Sequence, residues 1–102
     1  HFLYNRYYKD APMTLLNKVM FTFASYNAGP ARVAQLRRKA EAMGLNPDEW
    51  FQNVEVTAAG EIGRETVQYV SNIFKYYIAY KRIEAARTKR EALKEGHGNA
   101  KE

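Results

Sequence analysis

The chain has 102 residues, of which 46% are hydrophobic and 14% aromatic, and it carries a formal net charge of +5 without any cysteine. This length corresponds to about one domain and excludes a two-domain enzyme, and the apolar content favours a packed core over intrinsic disorder. The absence of cysteine excludes a disulfide scaffold, a thiol nucleophile and a thiolate metal site, and the two histidines lack metal-ligand spacing, so we expect neither metal nor cofactor.

The N-terminal end of the chain has the character of a cut through a longer sequence. It opens with HFLY, which contains no initiator methionine, charged leader or small-residue cleavage site. Residues 2–9 have the pattern of the end of an amphipathic helix that began upstream. No apolar run approaches the roughly 20 residues that span a bilayer, so we expect no transmembrane segment and assign any export signal to a preceding segment.

Two helices are predicted in the first half of the chain. Over residues 13–26 the apolar side chains recur at three- and four-residue steps, which is typical of an amphipathic core helix. The dipeptide Gly29-Pro30 ends it, because glycine accepts backbone angles that other residues resist and proline suits the first turn of a new helix. The second helix covers residues 30–43, has a basic face and ends at Gly44, a residue type that favours helix termination.

The middle of the chain gives weaker signals. Asn46 as N-cap and Glu49 three residues later have the spacing of a capping box, which predicts a short helical turn carrying Trp50. Residues 52–64 show no sustained period, and we interpret them as a loop. A short strand over residues 54–56 is the alternative for part of this loop.

The last third of the chain is predicted to be one long helix that is apolar on two faces, the second of them formed by tyrosines, and therefore central. After Tyr80 it loses most of its apolar character, so residues 81–102 are expected to form a charged, solvated extension that frays at residues 96–99. This extension holds seven basic and four acidic residues and thus most of the net charge. Basic character alone, with no groove-reading motif or aromatic-basic platform, does not indicate nucleic-acid binding.

Two motifs carry a resemblance to a known family. Residues 24–33 read ASYNAGPARV and residues 62–70 read IGRETVQYV. The pair resembles the second half of the family 1 lytic transglycosylase domain, the lysozyme-like SLT domain, in which one helix ends in AYNAGPxxV and a later helix opens with ETxxYV. The resemblance covers roughly residues 15–80. Ser25 replaces the usual alanine, and the EIGR segment before the second motif departs from the more common IPY or IPF.

The resemblance implies an all-α fold and an envelope function. Residues 1–80 would be the C-terminal part of a lysozyme-like helical domain, followed by the charged helical extension at residues 81–102. The implied activity is that of a peptidoglycan lytic transglycosylase in the bacterial periplasm, with glycan strands as its partner. Such enzymes cleave the β-1,4 bond between N-acetylmuramic acid and N-acetylglucosamine without water, and they leave a 1,6-anhydro-muramyl product.

The general acid implied by the resemblance is missing from this sequence. In the family one glutamate acts as acid and then as base, and the substrate's own N-acetyl group is thought to stabilise the intermediate. That glutamate lies in a Glu-Ser motif upstream of the Tyr-Asn-Ala-Gly element, and no such motif occurs here. Glu41, Glu49, Glu55 and Glu61 lie in no matching context. We therefore predict that the general acid lies upstream of His1 and that this chain alone is inactive.

Five residues are predicted to bind substrate, namely Tyr26, Asn27, Gly29, Glu65 and Tyr69. Tyr26 and Asn27, at a helix end, can offer a phenol and an amide to an N-acetyl group or a sugar hydroxyl. Gly29 would allow a ligand to approach the backbone closely. Glu65 and Tyr69 are four residues apart and share one helix face. For Glu65, a purely structural carboxylate at a helix N-terminus is the alternative role.

Other functions stay open at this point. A helical module could bind glycan, an acidic partner or a membrane surface without any chemistry, and a small basic nucleic-acid binder would show strongly salt-dependent affinity for DNA. Half of a lysozyme-like domain would also leave the apolar faces of residues 13–26 and 66–80 uncovered. We therefore expect self-association, with helices exchanged between copies.

Overall fold

The computed structural model describes the backbone of residues 2–100 and the side chains of residues 2–95. Within this range every regular element is helical. The elements are a π-helical turn at Tyr4–Tyr8, α1 at Leu15–Ala28, α2 at Pro30–Ala42, a π-type turn at Trp50–Val54, α3 at Glu55–Ile62 and α4 at Arg64–Ala100. The predicted all-α class and the long C-terminal helix are confirmed.

Helix α1 lies at the centre of the fold and contacts α2, α4 and both π-type turns. It begins after Thr14, whose hydroxyl accepts a hydrogen bond from the Asn17 backbone N–H at 3.3 Å. Its inward face buries Met20, Phe21 and Ala24 completely. The predicted helix is confirmed, but its predicted apolar face is not the buried one, because Met20 is the only fully buried side chain at the predicted three- and four-residue steps, while Leu15 and Tyr26 are largely exposed.

The corner between α1 and α2 forms as predicted at Gly29-Pro30. Gly29 has φ +97° and ψ 141°, and its N–H donates to the Ser25 carbonyl at 2.8 Å, which ends α1. Pro30 is the first residue of α2, and the Val33 N–H donates to the Gly29 carbonyl at 3.1 Å. Because φ is positive here, a side chain at position 29 would strain the corner.

A buried aromatic contact joins the middle of the chain to α1. Trp50 is fully buried, its ring meets Phe21 edge-on with centroids 5.9 Å apart, and its backbone N–H donates to Asn17 Oδ1 at 2.9 Å. The guanidinium of Arg37 lies 5.3 Å from the Phe21 centroid and forms a 2.7 Å ion pair with Asp48. The segment before Trp50 is thereby held between α1 and α2.

The predicted capping box at Asn46 is wrong. Asn46 Oδ1 accepts from the Asp48 N–H at 2.9 Å, but Glu49 has an extended backbone and does not reach back to Asn46. Instead, Asn53 Oδ1 accepts the Asn46 N–H at 2.9 Å, while Glu49 Oε2 accepts from Asn53 Nδ2 at 3.3 Å. The Asn53 side chain thus takes the place of the expected carboxylate, and the segment is a turn rather than a helix start.

The predicted loop over residues 52–64 is also wrong, as is the alternative of a strand over residues 54–56, because most of this segment is helix α3. Gln52 adopts φ +62°, which redirects the chain, and its N–H donates to Glu55 Oε1 at 3.1 Å at the start of α3. Helix α3 has eight residues, and it buries Ala58 and Thr57. Two turns are too short to show a clear period, so tertiary burial decides the conformation.

The N-terminal segment is fixed to α1 through Tyr8. This tyrosine is buried, its ring stacks on Phe21 with centroids 6.0 Å apart, and its hydroxyl is hydrogen-bonded to Ser25 Oγ at 2.5 Å. Burial raises the pKa of the Tyr8 phenol above its usual value, although the Ser25 hydrogen bond and the charge of Arg37 oppose this shift.

Helix α4 divides into a packed and an exposed half. Its first half buries Thr66 and Val70 and packs Phe74 edge-on against Phe51, with centroids 4.8 Å apart. Of the tyrosines predicted to form a second apolar face, Tyr69 is half-buried against the core, whereas Tyr76 and Tyr80 are largely exposed. The helical backbone continues to Ala100, through the residues where fraying was predicted. None of the described helices has both the length and the hydropathy that crossing a bilayer requires.

Replacing Trp50 by alanine tests the buried aromatic contact. We expect Trp50→Ala to lower the free energy of unfolding by about 3–5 kcal/mol. The loss is one of packing, because the buried indole Nε1 has no hydrogen-bond partner in the described part of the chain. Urea unfolding measures it, and Tyr76→Ala, an exposed aromatic control, should change stability by less than about 0.5 kcal/mol. Equal effects of the two substitutions would contradict this assignment of the core.

The raised pKa of Tyr8 predicts a stability loss at alkaline pH. In the unfolded chain the phenol ionises near pH 10, whereas the folded chain keeps it neutral, so stability present below about pH 10 is lost above it. Tyr8→Phe removes this component, and the wild type should lose stability relative to this variant as the pH rises above about 10. Tyr76→Phe, which alters an exposed tyrosine, should follow the wild type. Parallel curves for wild type and Tyr8→Phe would contradict the prediction.

Candidate functional site

One hydrogen bond brings together the two motifs found in the sequence. Thr66 Oγ1 donates to Asn27 Oδ1 at 2.6 Å, across 39 positions of sequence. Asn27 lies in the last turn of α1, and Thr66 is a buried residue in the first turn of α4. The C-terminal end of α1 and the N-terminal end of α4 therefore form one continuous surface.

The Thr66 contact also orients the Asn27 amide. Because Oδ1 accepts the threonine hydroxyl, the two N–H donors on Nδ2 are the groups that Asn27 can present to a ligand. Asn27 itself is exposed. The predicted amide donor is thus accessible, and a buried neighbour limits its rotation.

The residues beside Asn27 have the exposure that a binding surface requires. Tyr26 exposes 66% of its surface in the same turn of α1. At Gly29 no heavy atom lies within 4 Å of the position that a Cβ would occupy, so the backbone borders open space. The positive φ of Gly29 serves the corner between helices, and the free space leaves its backbone accessible to a ligand.

Glu65 and Tyr69 lie on the α4 side of the same region. Glu65 is exposed in the first turn of α4, and Tyr69, one turn later, is half-buried and packs against the core. A carboxylate in the first turn interacts favourably with the positive end of the helix dipole. The structural role considered for Glu65 is therefore present, and its exposure leaves the carboxylate accessible as well.

Thr66 is the residue that sequence reasoning did not single out. Its only sequence signal is its position within the ETVQYV motif, next to Glu65. Its burial and its bond to Asn27 depend on tertiary packing between α1 and α4, which a local pattern does not contain.

The described chain has at least four cavities, and none of the five predicted site residues lines any of these four. One of them, of about 550 Å³, lies between the start of α1 and the turn before Trp50, and its lining residues are Ala11, Pro12, Met13, Thr14, Asn17, Asn46, Asp48 and Glu49. The five predicted residues can provide one wall of a binding cleft.

Three further glutamates have local partners. The carboxylates of Glu49 and Glu55 accept hydrogen bonds from the Asn53 side chain and the Gln52 backbone, and Glu61 forms an ion pair with Lys39. Each of these contacts stabilises a turn or joins α3 to α2. Among residues 2–95, no group of three histidine or acidic side chains is arranged to hold a metal ion.

Several curated proteins are similar to part of this chain. A membrane-bound lytic murein transglycosylase F from Shewanella woodyi is 40% identical over 73 aligned positions, which cover 59% of this chain and 15% of that protein. The protein of the same name from Shewanella loihica is 37% identical with the same coverage. That from Histophilus somni strain 2336 is 31% identical over 83 positions, which cover 67% of this chain and 17% of the relative.

The chain thus spans 15% to 17% of the length of these relatives. No protein-family model matches it, and no solved structure matches it significantly. The similarity to lytic transglycosylases that the two motifs indicate is also found by alignment with these curated proteins, over part of the chain.

Removing the Thr66 hydroxyl tests the bond between the motifs. Thr66→Val keeps the shape of the side chain but leaves Asn27 Oδ1 without its donor, and we expect a loss of about 1 kcal/mol in the free energy of unfolding. The Asn27 side-chain amide resonances should shift in NMR spectra. Thr66→Ser retains the hydroxyl and should keep the wild-type resonances, so the assignment fails if both variants leave them unchanged.

Proposed function

We propose that this chain is part of a peptidoglycan lytic transglycosylase of the bacterial periplasm, and that its two joined motifs bind a glycan strand. The observation that carries the proposal is the Thr66–Asn27 hydrogen bond, since it unites two motifs that could otherwise have been unrelated helix ends. The names of the curated relatives, which refer to murein, support the same substrate. Residues 1–80 would belong to the glycan-binding domain, and residues 81–102 would extend from it.

Each predicted residue has a chemical role in this proposal. The Asn27 Nδ2 donates to an N-acetyl carbonyl or a sugar oxygen, and the exposed ring of Tyr26 packs against the apolar face of a pyranose. Gly29 allows the sugar to approach the backbone, because the space beside its Cα is open. Glu65 accepts hydrogen bonds from sugar hydroxyls, and Tyr69 supports the same wall from the next turn.

The chemical step needs a carboxylic acid in addition to Glu65, to which this proposal gives a binding role only. In non-hydrolytic cleavage, a carboxylic acid first protonates the glycosidic oxygen, which leaves. The resulting carboxylate then accepts the proton of the muramyl C6 hydroxyl while the C6 oxygen attacks the anomeric carbon. Glu49, Glu55 and Glu61 are engaged in local contacts away from the predicted wall. We therefore propose that the general acid comes from outside these 102 residues and that the chain alone binds glycan without cleaving it.

Self-association is a further part of the proposal. The inward faces of α1 and α4 are covered within the chain, so uncovered apolar surface on these faces no longer supports self-association. On the outer side of α1, however, Leu15 is 62% exposed, and Tyr4, Val19 and Phe23 border an apolar cavity of about 170 Å³. A second copy would cover this side by helix exchange.

Binding to glycan is tested with single substitutions on the proposed wall. Asn27→Ala and Glu65→Gln should each weaken sedimentation with purified peptidoglycan, and binding of N-acetylglucosamine oligomers, by about tenfold, the equivalent of one lost hydrogen bond. Asn5→Ala and Glu41→Gln remove the same groups from exposed positions elsewhere and should bind like the wild type. Equal binding by all four variants would contradict the assignment of the wall.

Cleavage is tested separately on the unaltered chain. After incubation with purified peptidoglycan, mass spectrometry should detect no 1,6-anhydro-muropeptides above background. Their formation would show that the chain contains its own general acid, and the binding results above would then still decide whether Asn27 and Glu65 form the wall.

A further inference from the structure

The second half of α4 leaves the body of the molecule as a single helix. From residue 79 to residue 95 the side chains are exposed apart from that of Glu84, which is half-buried. The molecule measures 62 Å along its longest axis and 26 Å across the other two, in agreement with a projecting helix. An isolated helix of this kind gains little from packing, so its remaining apolar side chains are free to contact another molecule.

These apolar side chains follow a heptad spacing. The first and fourth positions of successive heptads form a stripe, called here the heptad seam, which consists of Tyr76, Ala79, Ile83, Ala86 and Leu93. Tyr76, Ile83 and Leu93 expose 74%, 66% and 66% of their surface. The seam lies on the side of α4 opposite to buried Val70, so a molecule on the seam would not collide with α1 or α3.

The positions that flank the seam are basic. Between residues 75 and 94, the fifth and seventh heptad positions are occupied by Lys75, Tyr80, Arg82, Arg87, Lys89 and Lys94. The acidic residues Glu84 and Glu91 of this stretch, and Glu95 just after it, occupy the second and sixth positions, away from the seam. Glu84 pairs with Arg87 at 2.7 Å and offsets part of that charge, while no acidic residue flanks the seam itself.

This charge pattern selects the partner. In a coiled coil the fifth and seventh positions of two helices face each other, so two copies of this helix would bring lysine and arginine against lysine and arginine. A membrane surface favours a broad apolar face, whereas the basic flanks here confine the apolar stripe to a narrow seam. A partner helix with acidic flanks fits the narrow seam, because one helix would cover it, and it fits the charge, because its carboxylates would pair with the basic residues.

We propose that the heptad seam binds an amphipathic helix with acidic flanking residues, supplied by another protein. Arg90 occupies the first position of the third heptad, and it interrupts the apolar stripe with a charged side chain. A single polar residue at such a position sets the register of a coiled coil. The partner therefore carries a carboxylate opposite Arg90, because a charge covered by a partner helix needs an opposite charge. This inference does not depend on the glycan-binding proposal.

The probe is a designed three-heptad peptide with Leu at fourth positions and Glu at both flanking positions. Its first positions are Ile in the first two heptads and Glu in the third, which lies opposite Arg90. A matched peptide has Lys in place of Glu. Fluorescence anisotropy with the full chain should show binding of the Glu peptide that weakens as salt is raised, and no binding of the Lys peptide. Equal binding of the two peptides, or binding of neither, overturns the proposal.

Substitutions locate the contact. Ile83→Asp should abolish binding of the Glu peptide, whereas Ala85→Asp, on the opposite side of the same turn, should leave it intact. Both positions are exposed, and unchanged circular dichroism verifies that the fold persists. If both variants bind like the wild type, the seam is not the site.

A charge reversal tests the flanking residues. The double variant Arg82→Glu with Lys89→Glu should bind the Glu peptide about tenfold more weakly, since two attractions become repulsions, and it should gain binding of the Lys peptide. The control Arg32→Glu with Lys81→Glu makes the same change in net charge away from the seam and should retain the wild-type preference. If the control variant loses binding of the Glu peptide to the same extent, net charge alone explains the loss and the proposal is overturned.

Two other results would show that the heptad seam binds something other than an acidic helix. Ile83-dependent binding to phosphatidylglycerol vesicles without binding to the Glu peptide would identify a membrane surface. A decrease in sedimentation coefficient on Ile83→Asp alone would identify a second copy of the chain. Either result overturns the acidic-helix proposal, and neither bears on the glycan-binding wall.

Discussion

The fold depends on one side chain, Phe21, at which separate segments of the chain converge. Tyr8 stacks on one side of its ring, Trp50 meets it edge-on, and the guanidinium of Arg37 lies over it. These contacts tie the N-terminal segment, the turn before α3 and helix α2 to α1. Because α1 is held in this way, its last turn has a defined position, and Asn27 can meet Thr66 of α4 at 2.6 Å. The candidate site is thus a consequence of the aromatic core.

The elements that could be predicted have strong local causes. Helix α1 has a long apolar period, Gly29-Pro30 needs a positive φ followed by a helix start, and both the helix and the corner appear in the structure where expected. The turn region could not be predicted because its determinants are not local patterns. Gln52 adopts a left-handed conformation without being glycine, and Asn53 replaces the expected carboxylate at Asn46. Both residues take these roles because the neighbouring Trp50 is buried against α1.

The site was predictable as a set of residues, but the contact that unites it was not. Motif order placed Asn27 and Glu65 in one hypothesis, while the contact that joins the two motifs is made by the Thr66 hydroxyl to Asn27, across 39 positions. The sequence likewise shows which residues are charged, but only the structure shows which of these charges are paired within the chain. The basic face predicted for α2 is partly used for internal contacts, because Arg37 pairs with Asp48 and Lys39 pairs with Glu61. The net positive charge available to partners is therefore concentrated on the projecting half of α4.

Helix α4 connects the two proposed surfaces. Its first turn carries Glu65 beside the glycan-binding wall, and its projecting half carries the heptad seam centred near Ile83. At about 1.5 Å per residue, these positions are about 27 Å apart along one helix axis. The packed half is anchored by Val70 and by the edge-on contact between Phe74 and Phe51, so the seam and the wall lie on one helix that is fixed to the core. A partner helix on the seam would therefore hold the wall at a fixed distance and orientation without touching it.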